Sequence, residues 1–554
     1  MSIFSSQDTS YPNAGRTQRP ARCILLGALV LLAAGASAHA QSTDAVDAPW
    51  NTATIQAIDA YPNDPTFNHG FVGVDHFAGS NAGDQVGLLT TQLGNGDIVV
   101  AGLVPNFGAS GTCSNGTDLC NIGLVRYNQQ GVRKAWSNPG AYGNYSDNYV
   151  IYPGGTGHKY MYLRDIKARG SFIDVLVDEL DSDSRVTGQG VHNVRIVTFR
   201  DDGSNLSSWP VFGSAGNYTL DTDAFYGAQM VQISATRMIV AATAYDVVGP
   251  YVAVTRLTVL GNGAVSQDND WGDPYGGTGA FDRIRRYYGP GTYCPNALVG
   301  GSFCNVTAGY AAVQVGFTTP TDFYVGGSIQ IDGDDWDAIT LKISSDTGEL
   351  KSEYNGTGWS RAVFNDPNGS KKDIAAGLYV YQDDVYVAAQ VARKCFPGIG
   401  LAKLNGANGQ YNTAFGSGGK IVFGGQGNTP VCFAPPAGDV PFAISATGGR
   451  IGVVGYSRSG ITGISNHVDP MLAVVNAVNG TILDFAAHPL LNPDGSRMGD
   501  GVFYGVYGGP SPTSPFTAAG NGRNTDAGNT LSYIVGKFIP VSGDRIFANG
   551  FDGS

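Results

Sequence analysis

A two-strand unit recurs seven times along this 554-residue chain, and that recurrence limits what the chain can fold into. The clearest copy runs from Ile399 to Phe423, IGLAKLNGANGQYNTAFGSGGKIVF, and reads as strand, turn, strand. Each unit opens on a short apolar strand, most of them ending in small residues: Ile98–Gly102, Ile173–Val177, Met238–Ala242, Phe323–Gly327, Val385–Ala389, Ile451–Gly455 and Phe516–Gly520. Their central residues (Val100, Val175, Val240, Val325, Val387, Val453, Ala518) lie about 65 residues apart, with longer first and third intervals. An alternating strand follows in each unit, as in IGLVRYNQQG (122–131), VRIVTFRDDG (194–203), AITLKISSDTG (338–348) and MLAVVNAVNG (471–480). Its Asn, Asp and Gly residues supply the positive-φ positions that tight hairpins need. The seventh copy, LSYIVGKFIP (531–540), has no such turn.

Composition agrees with many short strands. The chain holds 80 Gly and is rich in Tyr and Phe, while charged residues make up only 14%. No long stretch shows helical periodicity, so an all-β fold of stacked repeats is expected.

These units resemble delta-60 repeats, bacterial β-propeller-type repeats of the form "dgkIvvaG…lArYn.dG.lD..FG.gGkv". Unit five matches through Gly400-Leu-Ala-Lys403, Gly409 and Phe415-Gly-Ser-Gly-Gly-Lys420, and unit one through Gly96–Gly102 and Leu124–Asn128. The resemblance spans roughly residues 63–541 and implies architecture only, with no catalytic residues to transfer. Asp64-Pro-Thr-Phe-Asn-His-Gly70 and Val72–Phe77 resemble the repeat's outer strand but precede the first unit, while the last unit lacks that strand. A seven-bladed β-propeller over residues 63–541, closed by its N-terminal strand, resolves both facts. An open solenoid of seven units is the competing arrangement.

Residues 1–40 read as a secretory signal. Arg16, Arg19 and Arg22 precede the apolar run Cys23–Ala34, and Ala38-His39-Ala40 marks a cleavage site. The mature chain then begins with an extension, residues 41–62, and is expected to be exported to the periplasm or beyond, as a monomer without a membrane span. Its last residues, 542–554, contain SGDRIFANGFD, which resembles a "DRIFADGFE"-like tail of exported gammaproteobacterial proteins. Removing the signal takes away three Arg and one Asp, so the net charge moves from −12 to −14. Acidity without a basic run argues against nucleic acid as a partner.

Six cysteines remain, an even number suited to disulfides in an exported chain. Sequence proximity pairs Cys113 with Cys120, Cys294 with Cys304, and Cys395 with Cys432; spacing suited to zinc is absent. With strands A to D running outward from the axis, all six cysteines fall in B–C or D–A connections, which share one face of a propeller. That face is the expected working surface.

Two clusters on it hold chemistry. Phe281-Asp-Arg-Ile-Arg-Arg-Tyr-Tyr288 reads as an inserted loop whose Arg283, Arg285, Arg286, Tyr287 and Tyr288 suit an anionic or saccharide ligand. The alternative is a surface loop whose Arg pair with the protein's own acids. Asp332, Asp334, Asp335 and Asp337 surround a Gly bend and suit Ca²⁺, the one cofactor the sequence suggests, although an acid starting strand C also has a structural use. Arg126, Lys342, Lys403 and Lys537 recur at one place in strand C, which points to a scaffold role. No G-x-S-x-G, H-E-x-x-H or Walker A motif occurs. Three functions follow: a non-catalytic binding propeller for a saccharide or protein, a polysaccharide- or ester-cleaving enzyme at the channel mouth, or a structural envelope component.

Overall fold

A computed structural model describes the strands and turns between residues 71 and 539. The principal segments left outside the described residues within that span are 76–85, 106–119, 140–148, 154–159, 181–191, 213–223, 288–313, 365–370, 425–437, 459–467 and 525–529. Among the described residues every regular element is a strand. Besides two small two-stranded sheets, they form seven antiparallel sheets of four or five strands, the blades, and each innermost strand lies against the innermost strand of the next blade until the circuit closes. The protein is a seven-bladed β-propeller.

From blade 1 to blade 7, the innermost strands (A) are Val86–Gln92, Tyr160–Arg169, Ala224–Ser234, Gln314–Thr319, Asp373–Tyr381, Gly438–Thr447 and Gly501–Gly508. The sequence units supply strands B and C, for example Ile98–Pro105 with Cys120–Tyr127 and Phe516–Asn524 with Thr530–Phe538. Strand D of blade 7 comes from the other end of the chain. Phe71–Asp75 pairs antiparallel with Thr530–Phe538, placing Phe71 opposite Gly536 and Val72 opposite Val535. Closure leaves no free first or last blade, and the expected N-terminal strand makes it.

Strand D is split in several blades. In blade 1 Arg133–Lys134 and Tyr149–Tyr152 both pair with strand C, and the chain makes an excursion between them. Blade 5 repeats this on a smaller scale: Tyr411 bridges Leu404, then Lys420–Phe423 pairs with Ile399–Ala402. The excursions return an aromatic ring to the seam between blades. Trp136, Trp271, Tyr354 and Phe415 are all fully buried there. The "F" of the repeat signature therefore packs the core rather than terminating a strand.

The recurrent cation of strand C fastens each blade to the next. Arg126 donates to the Asp201 carbonyl at 2.8 Å, Arg256 to Ser345 at 2.7 Å, and Lys403 to Ala477 at 3.0 Å. Lys342 reaches the Ala407 carbonyl at 3.5 Å, and Lys537 reaches Gln129 at 2.9 Å across the closure. Every acceptor lies at the C–D turn of the following blade, where the chain reverses and cannot satisfy all of its own carbonyls. An acid of the same blade balances the charge: Asp97 for Arg126, Asp322 for Lys342 and Asp384 for Lys403. Blade 2 carries Thr198 at this position, and Arg169, from the end of strand A, takes over with a 2.8 Å bond to the Gly263 carbonyl. Blade 6 carries Val474, and the blade after it has no continuous C–D turn because its strand D comes from the N-terminus. The blade with neither this cation nor a described substitute for it thus precedes the point of closure.

A second regularity lies on the axis. The A–B register slips at one level of nearly every blade: at Gly87/Leu89, Leu163/Asp165, Tyr226/Gln229, Ala375/Gly377, Pro441/Ala443 and Phe503/Gly505. Such a bulge crowds the facing strand, and this accounts for the small residues that end strand B. A Cβ on Gly455 would meet the Val440 carbonyl oxygen at 1.9 Å, and one on Gly520 would meet that of Val502 at 1.8 Å.

Candidate functional site

Each such bulge leaves one residue of the innermost strand without a partner on strand B. Leu88, Arg164, Ala376, Phe442 and Tyr504 are residues of this kind, and each is partly exposed, with Leu88 packed against the core between blades 1 and 2. They make an uneven ring. Phe442 and Tyr504 meet across blades 6 and 7 with centroids 5.0 Å apart, and Tyr456 of strand B joins Phe442 at 5.8 Å. Tyr379 on blade 5, packed against the core between blades 5 and 6, and Tyr507 on blade 7 are also partly exposed. Burial pushes the Tyr504 hydroxyl up to about 12, and Asn521 bonds it; Tyr456 and Tyr507 are also raised by burial. These phenols are neutral donors at ordinary pH.

Beyond Tyr504 the ring passes Leu88 and reaches Arg164 on blade 2. Gly505 lies so close to blade 1 that a Cβ there would meet Leu89 Cα at 3.0 Å and the Leu88 carbonyl oxygen at 3.1 Å. Arg164 Nε donates to Asp178 Oδ2 at 2.5 Å, and its guanidinium stands 5.1 Å from the Tyr162 ring centroid. Behind this pair lies a buried ionic layer. Arg195 Nε donates to Glu179 at 3.0 Å, and the Tyr152 hydroxyl donates to the same carboxylate at 2.9 Å. Asp178 and Glu179 are both fully buried. Burial, with the Glu179 charge beside it, drives the Tyr152 phenol well above its ordinary range. Aromatic faces on one side and fixed polar groups on the other suit a ring-shaped ligand with hydroxyls.

The two clusters expected from sequence occupy other places. Within the stretch read as a loop at 281–288, Arg285–Tyr287 is the second half of blade 3's own strand D. Arg285–Tyr287 pairs with Val252–Val254, as Lys420–Phe423 pairs with strand C in blade 5. A long strand-D excursion, residues 268–284, displaces it in sequence and contributes to the long third interval. Arg285 bonds Asp273 at 3.2 Å and the Thr347 carbonyl of blade 4 at 2.5 Å; Arg286 lies 3.5 Å from Asp273 and over the Tyr251 ring. Tyr287 is buried and donates to the Gly348 carbonyl at 2.5 Å, and burial raises its hydroxyl strongly. Arg283 takes a positive φ of 65° beside Thr255, which donates to the Arg283 carbonyl at 2.7 Å. Tyr288 lies outside the described residues. Arg285 and Tyr287 thus tie blade 3 to blade 4.

Of the four aspartates, Asp334 lies outside the described residues, and Asp332 is described only as a strand residue paired with Asp335. Asp335 faces Lys371 at 3.6 Å and Asp337 faces Arg361 at 3.1 Å. Burial outweighs the Arg361 charge and raises the Asp337 carboxyl to about 6, with Asp335 adding to the rise. A carboxyl whose ionisation burial disfavours, with Arg361 and Lys371 already facing the acids, is a poor ligand for a hard dication. Among the described residues no group of three acidic, His or Cys side chains has metal-binding geometry.

The sign of a pH effect follows. A raised folded pKa stabilises the protein below the unfolded value near 4, and that contribution is lost as pH rises through about 6. Asp337→Asn should therefore be the more stable form at pH 8, by roughly 2–3 kcal/mol, and should match the wild type near pH 4. Denaturant midpoints at the two pH values measure this; a difference independent of pH would show that Asp337 is charged throughout.

Cys120 begins strand C of blade 1, while Cys113, Cys294, Cys304, Cys395 and Cys432 lie outside the described residues, as does any bridge between them. Among the described residues no helix is long and apolar enough to cross a membrane. Sequence reading missed the channel residues because it followed strands B and C. Strand A has no repeating side-chain signature, and its only sequence trace is the set of small residues opposite the bulge.

No family model matches the chain, and no curated protein matches it. Among solved structures, the chain is similar to a polysaccharide lyase, Uly1, at 10% identity over 87% of this chain and 97% of that one, with a TM-score of 0.40. It is similar to a phage phi92 endosialidase at 10% identity, covering 87% and 71% of the two chains with a TM-score of 0.36. An α-L-arabinanase of Penicillium chrysogenum complexed with arabinobiose is 9% identical, with 81% and 93% covered and a TM-score of 0.33. At such distances the propeller rests on the strand pairing of this chain, and the reading of its site rests on this chain's own residues.

Proposed function

We propose that this is an exported saccharide-binding propeller, acting without catalysis, that takes an oligosaccharide into its channel against the aromatic wall of blades 5–7. One observation carries the reading: Phe442, Tyr456 and Tyr504 pack together at the bulge level yet remain partly exposed. Rings that serve only the core are buried, as Tyr386 and Phe415 are in the neighbouring seam. Pyranose faces stack on such rings, and neutral phenols with Asn521 nearby supply hydrogen bonds.

The test is to pass purified residues 41–554 over immobilised glycans and cell-surface polysaccharides, recording retention and released products together. Phe442→Ala and Tyr504→Ala should each weaken retention about tenfold, in line with the loss of one stacking ring. Turnover of the bound polymer would replace this reading with an enzyme. Retention by both variants equal to wild type would remove the channel from consideration.

A further inference from the structure

We infer that the channel selects acidic oligosaccharides, and that Arg164 is the residue reading their carboxylate; this rests on the saccharide reading above. Arg164 is the one charged side chain among the described bulge residues. The bulge leaves Arg164 without a partner on strand B, and its guanidinium lies beside Tyr162 and Asp178, which pair across strands A and B. The guanidinium is also held from behind. Its Nε is committed to Asp178, which is itself fully buried, and the ring of Tyr162 stands against it. Its two Nη groups have no partner among the described residues, and about a quarter of the side chain, 24%, stays exposed.

An arginine anchored through Nε presents its remaining donors as a fixed fork. That geometry matches a carboxylate's two oxygens and loses little entropy on binding. A guanidinium needed only to neutralise Asp178 would gain by being covered, as Arg169 is over Asp174 in the same blade, where it is 8% exposed.

Tyr504 and Arg164 lie two blades apart with Leu88 between them. A chain of several sugars can stack a neutral face on Phe442 and Tyr504 while a uronate carboxylate meets Arg164. Lys167, further along the same strand, is tied to Asp165 at 3.1 Å and leaves Arg164 as the fork.

The experiment uses oligosaccharide pools from pectate, alginate and glucuronan, each beside its carboxyl-reduced counterpart, with binding measured on the mature chain at low and high salt. The acidic pools should bind at least about tenfold tighter than the reduced ones, with the margin shrinking at high salt. Arg164→Gln should abolish the margin while leaving the reduced pools unaffected. Since that change strips Asp178 of its cation, Arg164→Gln/Asp178→Asn and Arg164→Lys are measured with it. The first restores charge balance and should still lack the margin; the second keeps charge without the fork and should retain only part of it. Equal binding of acidic and reduced pools would overturn the role of Arg164 and leave the saccharide reading standing. Binding of neither, together with no retention in the glycan panel, would overturn both.

Discussion

Replacing Arg169 by Met should destabilise the protein by about 3–5 kcal/mol, because the substitution strands a buried carboxylate. Arg169 bonds both oxygens of Asp174, at 2.7 and 3.1 Å, and Asp174 is fully buried with Thr198 as its other partner. The same guanidinium donates to the Gly263 carbonyl of blade 3 and lies over Phe172. Hydrophobic contact of the Met side chain replaces the stem but neither the charge nor the inter-blade bond. Adding Asp174→Val, the residue type that blade 1 carries as Val99 in the matching register, should recover much of the loss. Chemical denaturation of the two variants decides it. If the single variant loses under about 1 kcal/mol, the seam between blades 2 and 3 does not depend on this pair.

A still larger effect is expected from deleting residues 63–78, which removes the closing strand. Thr530–Phe538 would then show an unpaired edge, and strands B and C of blade 7 would lose their outer cover. An exposed strand edge on an opened ring recruits other chains, so soluble monomer should largely disappear on size exclusion. A synthetic peptide of the deleted residues, added during refolding, should restore monomer by strand addition. A truncated chain that stays monomeric, with unchanged thermal stability, would mean that blade 7 is complete without the N-terminus.

Much of the frame was legible because its determinants repeat. Strands B and C announce themselves by apolar runs and Gly turns, and the missing strand of the last unit pointed to closure from the N-terminus. The strand-C cations were legible as a pattern, although their acceptors were not. Arg126 and Asp201 are 75 residues apart, and only the ring brings them together. Val474 breaks the pattern for a reason that also lies in the ring, at the blade whose C–D connection is interrupted.

The site was hidden for a different reason. Arg285 and Arg286 drew attention by density, yet an excursion within strand D had separated them from the strand they belong to, and their charges serve Asp273 and blade 4. Phe442, Tyr504 and Arg164 stand singly in three different strands. Each looks like an ordinary strand residue until the bulge rotates it out of register, and a bulge is a property of two strands together.

Amide hydrogen exchange of the protein, with and without the best-retained oligosaccharide, tests the central claim most directly. The channel-side amides of the innermost strands have no ladder partner toward the axis, so a ligand in the channel slows their exchange. We expect added protection in Gly438–Thr447, Gly501–Gly508 and Tyr160–Arg169, with little change in the outer strands. Protection confined to the outer strands, or to the seam between blades 3 and 4 around Arg285–Tyr287, would place the ligand outside the channel and contradict the account.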